Sequence, residues 1–308
     1  MEPTPWDPEG VTVVLDHDGQ LVGGAQPSGL DTKQFYKMLV AARCLDLRLA
    51  RSGLPMWASA AGEEAALVST ALVSRERDWI YAGFRDVAVA LARGLELDAV
   101  VAGLFSGEAA SPGRIASATH RIAPPTDALG MHLALASGRA HAQKLRGDGD
   151  VTFALFGEGL TTTGAFHESS MLAVSNALPM VMVCRSQLWP NGAPAEAGAV
   201  GDSVSDRAKA AGFFVRRVDG ADALGTHAAI TAAADRARQG RGPGFVEVVV
   251  TQMHRDPPAH RDPVERLRRH LDKTGAWTQT LQDVIEAEVR GGLDRALEAV
   301  QSNETAEA

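Results

Sequence analysis

Residues 151–184 read VTFALFGEGLTTTGAFHESSMLAVSNALPMVMVC. Two short apolar runs, 151–156 and 179–184, bracket a helical stretch from Gly164 to Asn176. A strand that is apolar along its whole length has no solvent face, so it must be covered from above and below. Strand, helix and strand in succession then mean a parallel sheet with crossover helices. The pattern extends outward in both directions. Downstream come a strand at 213–218, a helix at 221–239 and a strand at 244–250. Upstream, a helix at 129–145 runs through Arg146-Gly147-Asp148-Gly149 into the first strand. Further helices are predicted at 35–49, 63–73, 86–93 and 97–105, and 106–126, rich in Gly, Pro and Ser, reads as a long surface loop. The fold class is α/β, a parallel sheet with helices on both faces.

Three segments follow. Residues 1–30 form a Pro- and Gly-rich extended arm with one hairpin, turned by Asp16-His17-Asp18-Gly19, that lies on its own domain or on a partner, a free tail being the alternative. Residues 31–262 are the α/β domain, and 263–308 a polar, amphipathic helical tail. A chain of 308 residues is long for one core but within the range of a large α/β domain. Its net charge of −8 and its lack of a Lys/Arg-rich run argue against nucleic acid as a partner. Cys44 and Cys184 lie far apart in apolar segments and read as reduced thiols. No basic flank and apolar stretch marks a signal peptide, and no apolar run is long enough to cross a bilayer. The expectation is a cytoplasmic protein with no membrane partner.

In an open parallel sheet, ligands collect outside the carboxyl ends of the strands. The first strand ends in Gly157-Glu158-Gly159, and the second runs on through Arg185-Ser186-Gln187-Leu188-Trp189. A carboxylate between glycines and an amide at the next strand end can bring two oxygen ligands together. Mg²⁺ takes hard oxygens from one or two side chains and completes its shell with phosphates. Arg185 supplies a charged fork for a phosphate. On these residues alone, a capped helix start followed by a surface loop remains the competing reading. The glycines do not follow G-x-G-x-x-G, and no acidic residue stands at the ribose position, so a nicotinamide site is set aside.

These stretches resemble the alpha subunit of the thiamine-diphosphate-dependent, decarboxylating component of the 2-oxoacid dehydrogenase complexes, of pyruvate or branched-chain type. Phe156-Gly157-Glu158-Gly159 through Glu168 looks like the first half of that family's cofactor motif, and Val183-Cys184-Arg185-Ser186-Gln187 like its second. Gly62-Glu63-Glu64-Ala65, Phe84-Arg85-Asp86, Ser205-Asp206-Arg207-Ala208, Val218-Asp219-Gly220 and Asp262-Pro263-Val264-Glu265 match flanking blocks, so the likeness spans roughly residues 30 to 300. It implies a thiamine-diphosphate-binding fold. It also implies cofactor contacts at Phe84, Arg85, Leu129, His132, Gly157, Glu158, Gly159, Arg185, Gln187 and Trp189. The Mg²⁺ ligands would be Glu158, Gln187 and the carbonyl of Trp189.

Several positions depart from the family pattern. Its metal-binding Asp and Asn are Glu158 and Gln187, each keeping an oxygen but adding a methylene, against an ion that demands oxygens at about 2.0–2.1 Å. Its phosphate-binding Tyr is Phe84, which forgoes a charge-assisted hydrogen bond of about 1.5–3 kcal/mol. His132 stands for a usual Gln. The long lid after the strand at 244–250, with its Gly-His-Ser segment, is mostly missing, since 251–261 runs almost directly into Asp262-Pro263. His254 and His260 are candidates to replace the lid's histidine, and His120, in the 106–126 loop, is a candidate facing the substrate. The resemblance implies an α₂β₂ assembly in which a beta subunit completes the site. A small 2-oxoacid is decarboxylated there and its acyl group passed to a lipoyl-bearing acyltransferase or another acceptor. A non-catalytic or non-oxidative paralogue, keeping the fold and the beta-subunit partner, is the alternative.

Overall fold

The computed structural model describes residues 8, 10–23, 26–54, 57–106, 115–126, 128–187 and 203–307, with the side chains of Arg255, Gln301 and 303–307 excepted. The strands are β1 (Trp79–Tyr81), β2 (Ile122–Ala123), β3 (Thr152–Gly157), β4 (Met180–Gln187), β5 (Phe214–Asp219) and β6 (Gly244–Val250). They form one six-stranded sheet in the order β2-β1-β3-β4-β6-β5, with every pairing parallel. The helices are α1 (Thr32–Leu49), α2 (Glu64–Val73), α3 (Val87–Ala92), α4 (Leu97–Phe105), α5 (Met131–Arg146), α6 (Gly164–Ser175), α7 (Val204–Ala211), α8 (Ala223–Arg238), α9 (Pro263–Lys273) and α10 (Gln279–Glu307).

The apolar runs became β3 to β6 because both faces are covered. Phe153 and Leu155 pack with residues of α1, α2 and α8, whereas Ala154 and Phe156 pack with residues of α5, α6 and α7. The period of two along a strand sends successive side chains to opposite layers. Helix starts were set locally. Asp31, Asp222 and Asp262 accept from the backbone N–H of Gln34, Gly225 and Val264, and Pro263 follows the last of these caps.

The sequence reading missed three elements. Strand β1 is too short to show a periodicity, and it exists through its register with Phe153 of β3 and Ile122 of β2. Strand β2 lies inside the stretch expected to be a surface loop, yet Ile122 and Ala123 are buried, which corrects that expectation at its C-terminal end. Helix α7 is short and half polar, and it is held by the burial of Val204 and Ala208 in the cluster that also takes in Phe166 of α6.

The arm lies on its own domain. Thr12 bridges Val218 in parallel and Leu15 bridges Leu21 in the expected hairpin, so the arm covers the outer edge of β5, an edge that would otherwise offer unpaired backbone groups. At the other terminus α10 buries Leu293, Ala296 and Leu297 against Val100, Val101 and Leu104 of α4. Among the described residues no helix is long and apolar enough to cross a membrane.

Candidate active site

After β1 the chain passes to β2 on one side and then to β3 on the other, which makes the carboxyl ends of β1 and β3 a topological switch point. A cavity of about 300 Å³ opens there. Its wall includes Phe84, Arg85 and Asp86 after β1, Leu129 just before α5 and His132 in its first turn, Gly157 at the end of β3, Gly159 just beyond it, and Arg185 near the end of β4. The sheet therefore gathers at one place most of the cofactor positions expected from the sequence. A side chain at Gly159 would meet nothing within 4 Å, and one at Gly157 only the Arg185 carbonyl at 4.0 Å, so both glycines border open space.

Arg185 is buried, and it is not free. Its Nη1 donates to Asp86, and its Nε lies 3.2 Å from Glu63 Oε2. Glu63, fully buried at the start of α2, also accepts from Arg85 Nη2 at 3.1 Å. Burial works against the charge of Arg185, but Asp86 and Glu63 more than offset it and raise its pKa above the ordinary guanidinium value. Burial pushes the Glu63 carboxyl up, while Arg185 and Arg85 pull it down. Glu63 and Asp86 stood in matched motifs without an assigned role. The available signal was a pair of acidic residues opening the apolar run Ala-Ala-Leu-Val, where an unpaired carboxylate is costly.

Burial also raises the pKa of Glu158, opposed by hydrogen bonds from its own backbone N–H and that of Gln187. The Glu158 carboxyl thus lies beside the backbone of Gln187, brought there by the pairing of Gly157 on β3 with Arg185 on β4. Trp189 lies outside the described residues. Among those residues no group of three or more His, Cys, Asp or Glu is placed to hold a metal ion. His132 is buried, which lowers its pKa, and its Nε2 stands 3.1 Å from the Leu155 carbonyl. That acceptor fixes the proton on Nε2 and leaves Nδ1 a lone-pair acceptor.

The three candidate catalytic histidines are dispersed. His120 borders a second cavity, with Gly94, Glu96 and Ser117, and its Nδ1 is 2.9 Å from Ser117 Oγ. His254 is exposed on a 3-10 turn whose Met253 N–H donates to Ala61 O at 3.0 Å, two residues before Glu63. That docking needs Gly62, since a Cβ there would lie 2.1 Å from Thr251 O. His260 stacks on His17 of the arm, with ring centroids 4.3 Å apart.

The family model for the dehydrogenase E1 component matches residues 37–256. The chain belongs to the dehydrogenase E1 component family. Its relatives include the 3-methyl-2-oxobutanoate dehydrogenase subunit alpha of Mycobacterium tuberculosis, 30% identical over 83% of this chain and 74% of the relative. The pyruvate dehydrogenase E1 component subunit alpha of Bacillus cereus is 28% identical, covering 92% of this chain and 82% of its own. The 2-oxoisovalerate dehydrogenase subunit alpha of Bacillus subtilis is 29% identical, over 85% and 89% respectively. E1 components of this family depend on thiamine diphosphate, and the matched span covers the whole wall of the cavity.

Proposed function

We propose that this E1 chain is the alpha half of a thiamine-diphosphate-dependent 2-oxoacid dehydrogenase component. The observation that carries the reading is the cavity at the switch point, lined by Arg85, Arg185, Gly157, Gly159, His132 and Leu129. The cavity fits the cofactor's phosphate end: it joins open space beside two glycines to a buried arginine whose Nε has no hydrogen bond. When bound, thiamine diphosphate supplies the carbon nucleophile for a 2-oxo group and the electron sink that lets CO₂ depart. Arg85 and Arg185 would grip the phosphates. Glu158 and Gln187 would give Mg²⁺ two oxygens, the phosphates and the Trp189 carbonyl completing the shell. Neutral His132 presents Nδ1 as an acceptor in the wall, and Leu129 keeps the mouth apolar.

A beta subunit closing that mouth accounts for the exposed apolar side chains there. Phe84 and Leu129 are 60% and 68% exposed, and Met131 and Leu135 on α5 are about half exposed. Large apolar side chains left exposed beside a cavity are characteristic of a protein interface. The assembly is an α₂β₂ heterotetramer, and the acyl group passes to a lipoyl-bearing acyltransferase.

Calorimetry on the alpha–beta complex tests this reading. Thiamine diphosphate is expected to bind only with Mg²⁺, and absence of heat under both conditions would overturn it. Restoring the shorter ligands, Glu158→Asp with Gln187→Asn, is expected to tighten binding, with the two changes non-additive because both groups address one ion. Independent, additive effects would show that they do not share a metal.

The short path from β6 to α9 leaves His254 as the better replacement for a lid histidine. It sits on the turn docked against the start of α2, whereas His260 is engaged with the arm. His254→Ala is expected to cut turnover at least about tenfold, near 1.4 kcal/mol of barrier. His260→Ala should leave turnover within about twofold. Equal rates for wild type and His254→Ala would reject the role.

A further inference from the structure

The cavity holds an anion of its own. Asp86 is fixed to its loop, with Oδ2 accepting from Gly83 N–H at 2.7 Å, while its Oδ1 takes Arg185. Glu63 is less well satisfied. Its Oε1 accepts from Arg85, but its Oε2 has no hydrogen bond and only the charge contact with Arg185 Nε at 3.2 Å. No backbone N–H donates to the Glu63 carboxylate in the hydrogen bonds of the described residues. The two cations that would hold a diphosphate are therefore already shared by a fully buried carboxylate. Two arginines face three carboxyl groups here, Glu63, Asp86 and Glu158, so acids outnumber the cations before any phosphate arrives.

Like charges brought together in a desolvated site repel far more strongly than in water. Mg²⁺ would offset much of the phosphate charge, but its proposed ligands, Glu158 and Gln187, stand on the β3 and β4 side. Glu63 faces Arg85 and Asp86 from the turn after β1, and Arg185 from β4. Glu64 lies beside it on α2 and is itself paired to Arg43. His132 from α5 faces Asp86 and Arg185. The segment after β6 brings the Thr251 carbonyl against Gly62.

We propose that Glu63 sets the affinity of this cavity for a diphosphate: it holds Arg85 and Arg185 from the protein side and releases them to the phosphate as it takes up one proton from solvent. The inference rests on the cofactor reading above. It makes Glu63 a positioning residue, acting through the two arginines.

The test is calorimetry on the alpha–beta complex, wild type and Glu63→Gln, in two buffers of different ionisation heat. The preformed Mg²⁺ complexes of thiamine diphosphate and of inorganic pyrophosphate are titrated separately. Glu63→Gln is expected to bind both about tenfold more tightly. Wild type is expected to take up about one more proton per site than the variant. Equal affinity with equal proton uptake overturns the proposal, as does weaker binding by the variant, because Glu63 would then merely support the arginines. If the variant does not fold, wild type alone decides, and binding without proton uptake overturns the proposal. Pyrophosphate behaving as expected while thiamine diphosphate fails to bind would remove the cofactor reading and leave the role of Glu63 standing. No binding of either ligand by either protein would remove both.

Discussion

Replacing Arg185 with Met is expected to cost about 3–5 kcal/mol of stability and to abolish diphosphate binding. The reason is the two carboxylates left behind. Asp86 and Glu63 are 2% and 0% exposed, and Arg185 is the cation that touches both. Breaking a buried ion pair by removing one partner leaves an uncompensated charge with no water to take its place. The deficit should depend on pH, with a definite sign. Burial already raises the folded pKa of Glu63, and loss of Arg185 raises it further. A carboxyl raised in the folded state binds its proton more tightly there than when unfolded. Its favourable contribution is present below the ordinary carboxyl pKa of about 4.3 and is lost as pH rises through the folded value. The gap between variant and wild type should therefore open above the already raised wild-type value of Glu63 and level off once Glu63 is ionised in the variant as well. Denaturant unfolding at several pH values reads this directly, and a gap that does not vary with pH would assign the loss to packing alone.

An equally large effect with the opposite functional outcome is expected at Asp219. Its two oxygens accept from Arg261 at 2.6 Å and Arg266 at 2.9 Å, and both guanidinium groups are fully buried. Arg266 also donates to the His260 carbonyl and reaches Leu15 of the arm, so this carboxylate ties together the end of β5, the start of α9 and the N-terminal hairpin. Asp219→Asn keeps the shape but removes the charge that balances two buried cations. The expected loss is about 3–5 kcal/mol. Because β5 lies at the far edge of the sheet from β1 and β3, the folded variant should bind thiamine diphosphate as wild type does. A variant that is as stable as wild type, or that loses cofactor affinity while folded, would contradict this separation of support from site.

The strands legible in the sequence were those buried on both faces. Residues such as Phe153, Leu155, Val181 and Val183 leave no polar side to expose, so composition and spacing sufficed. The helices were legible where Asp31, Asp222 and Asp262 cap them and an apolar stripe follows. The site was legible in part. Gly157, Glu158, Arg185 and Gln187 could be picked out because strand ends in a parallel sheet are where ligands gather, and Arg85, His132 and Leu129 came through the family likeness.

What the sequence by itself determined, then, is what local pattern encodes: the α/β class, the capped helices and the residue types at the strand ends. The tertiary structure decided the rest, because those matters depend on distance across the chain. Strands β1 and β2 are too short to announce themselves and exist only through pairing with neighbours. His254 and His260 both trail β6, yet they part because one turn docks against the start of α2 and the other against the arm, while His120 lies before β2. Above all, the state of the phosphate arginines was invisible in one dimension. Arg85 and Arg185 read as free cations until the start of α2 brought Glu63 between them, and a charge has no meaning for binding until its neighbours are known.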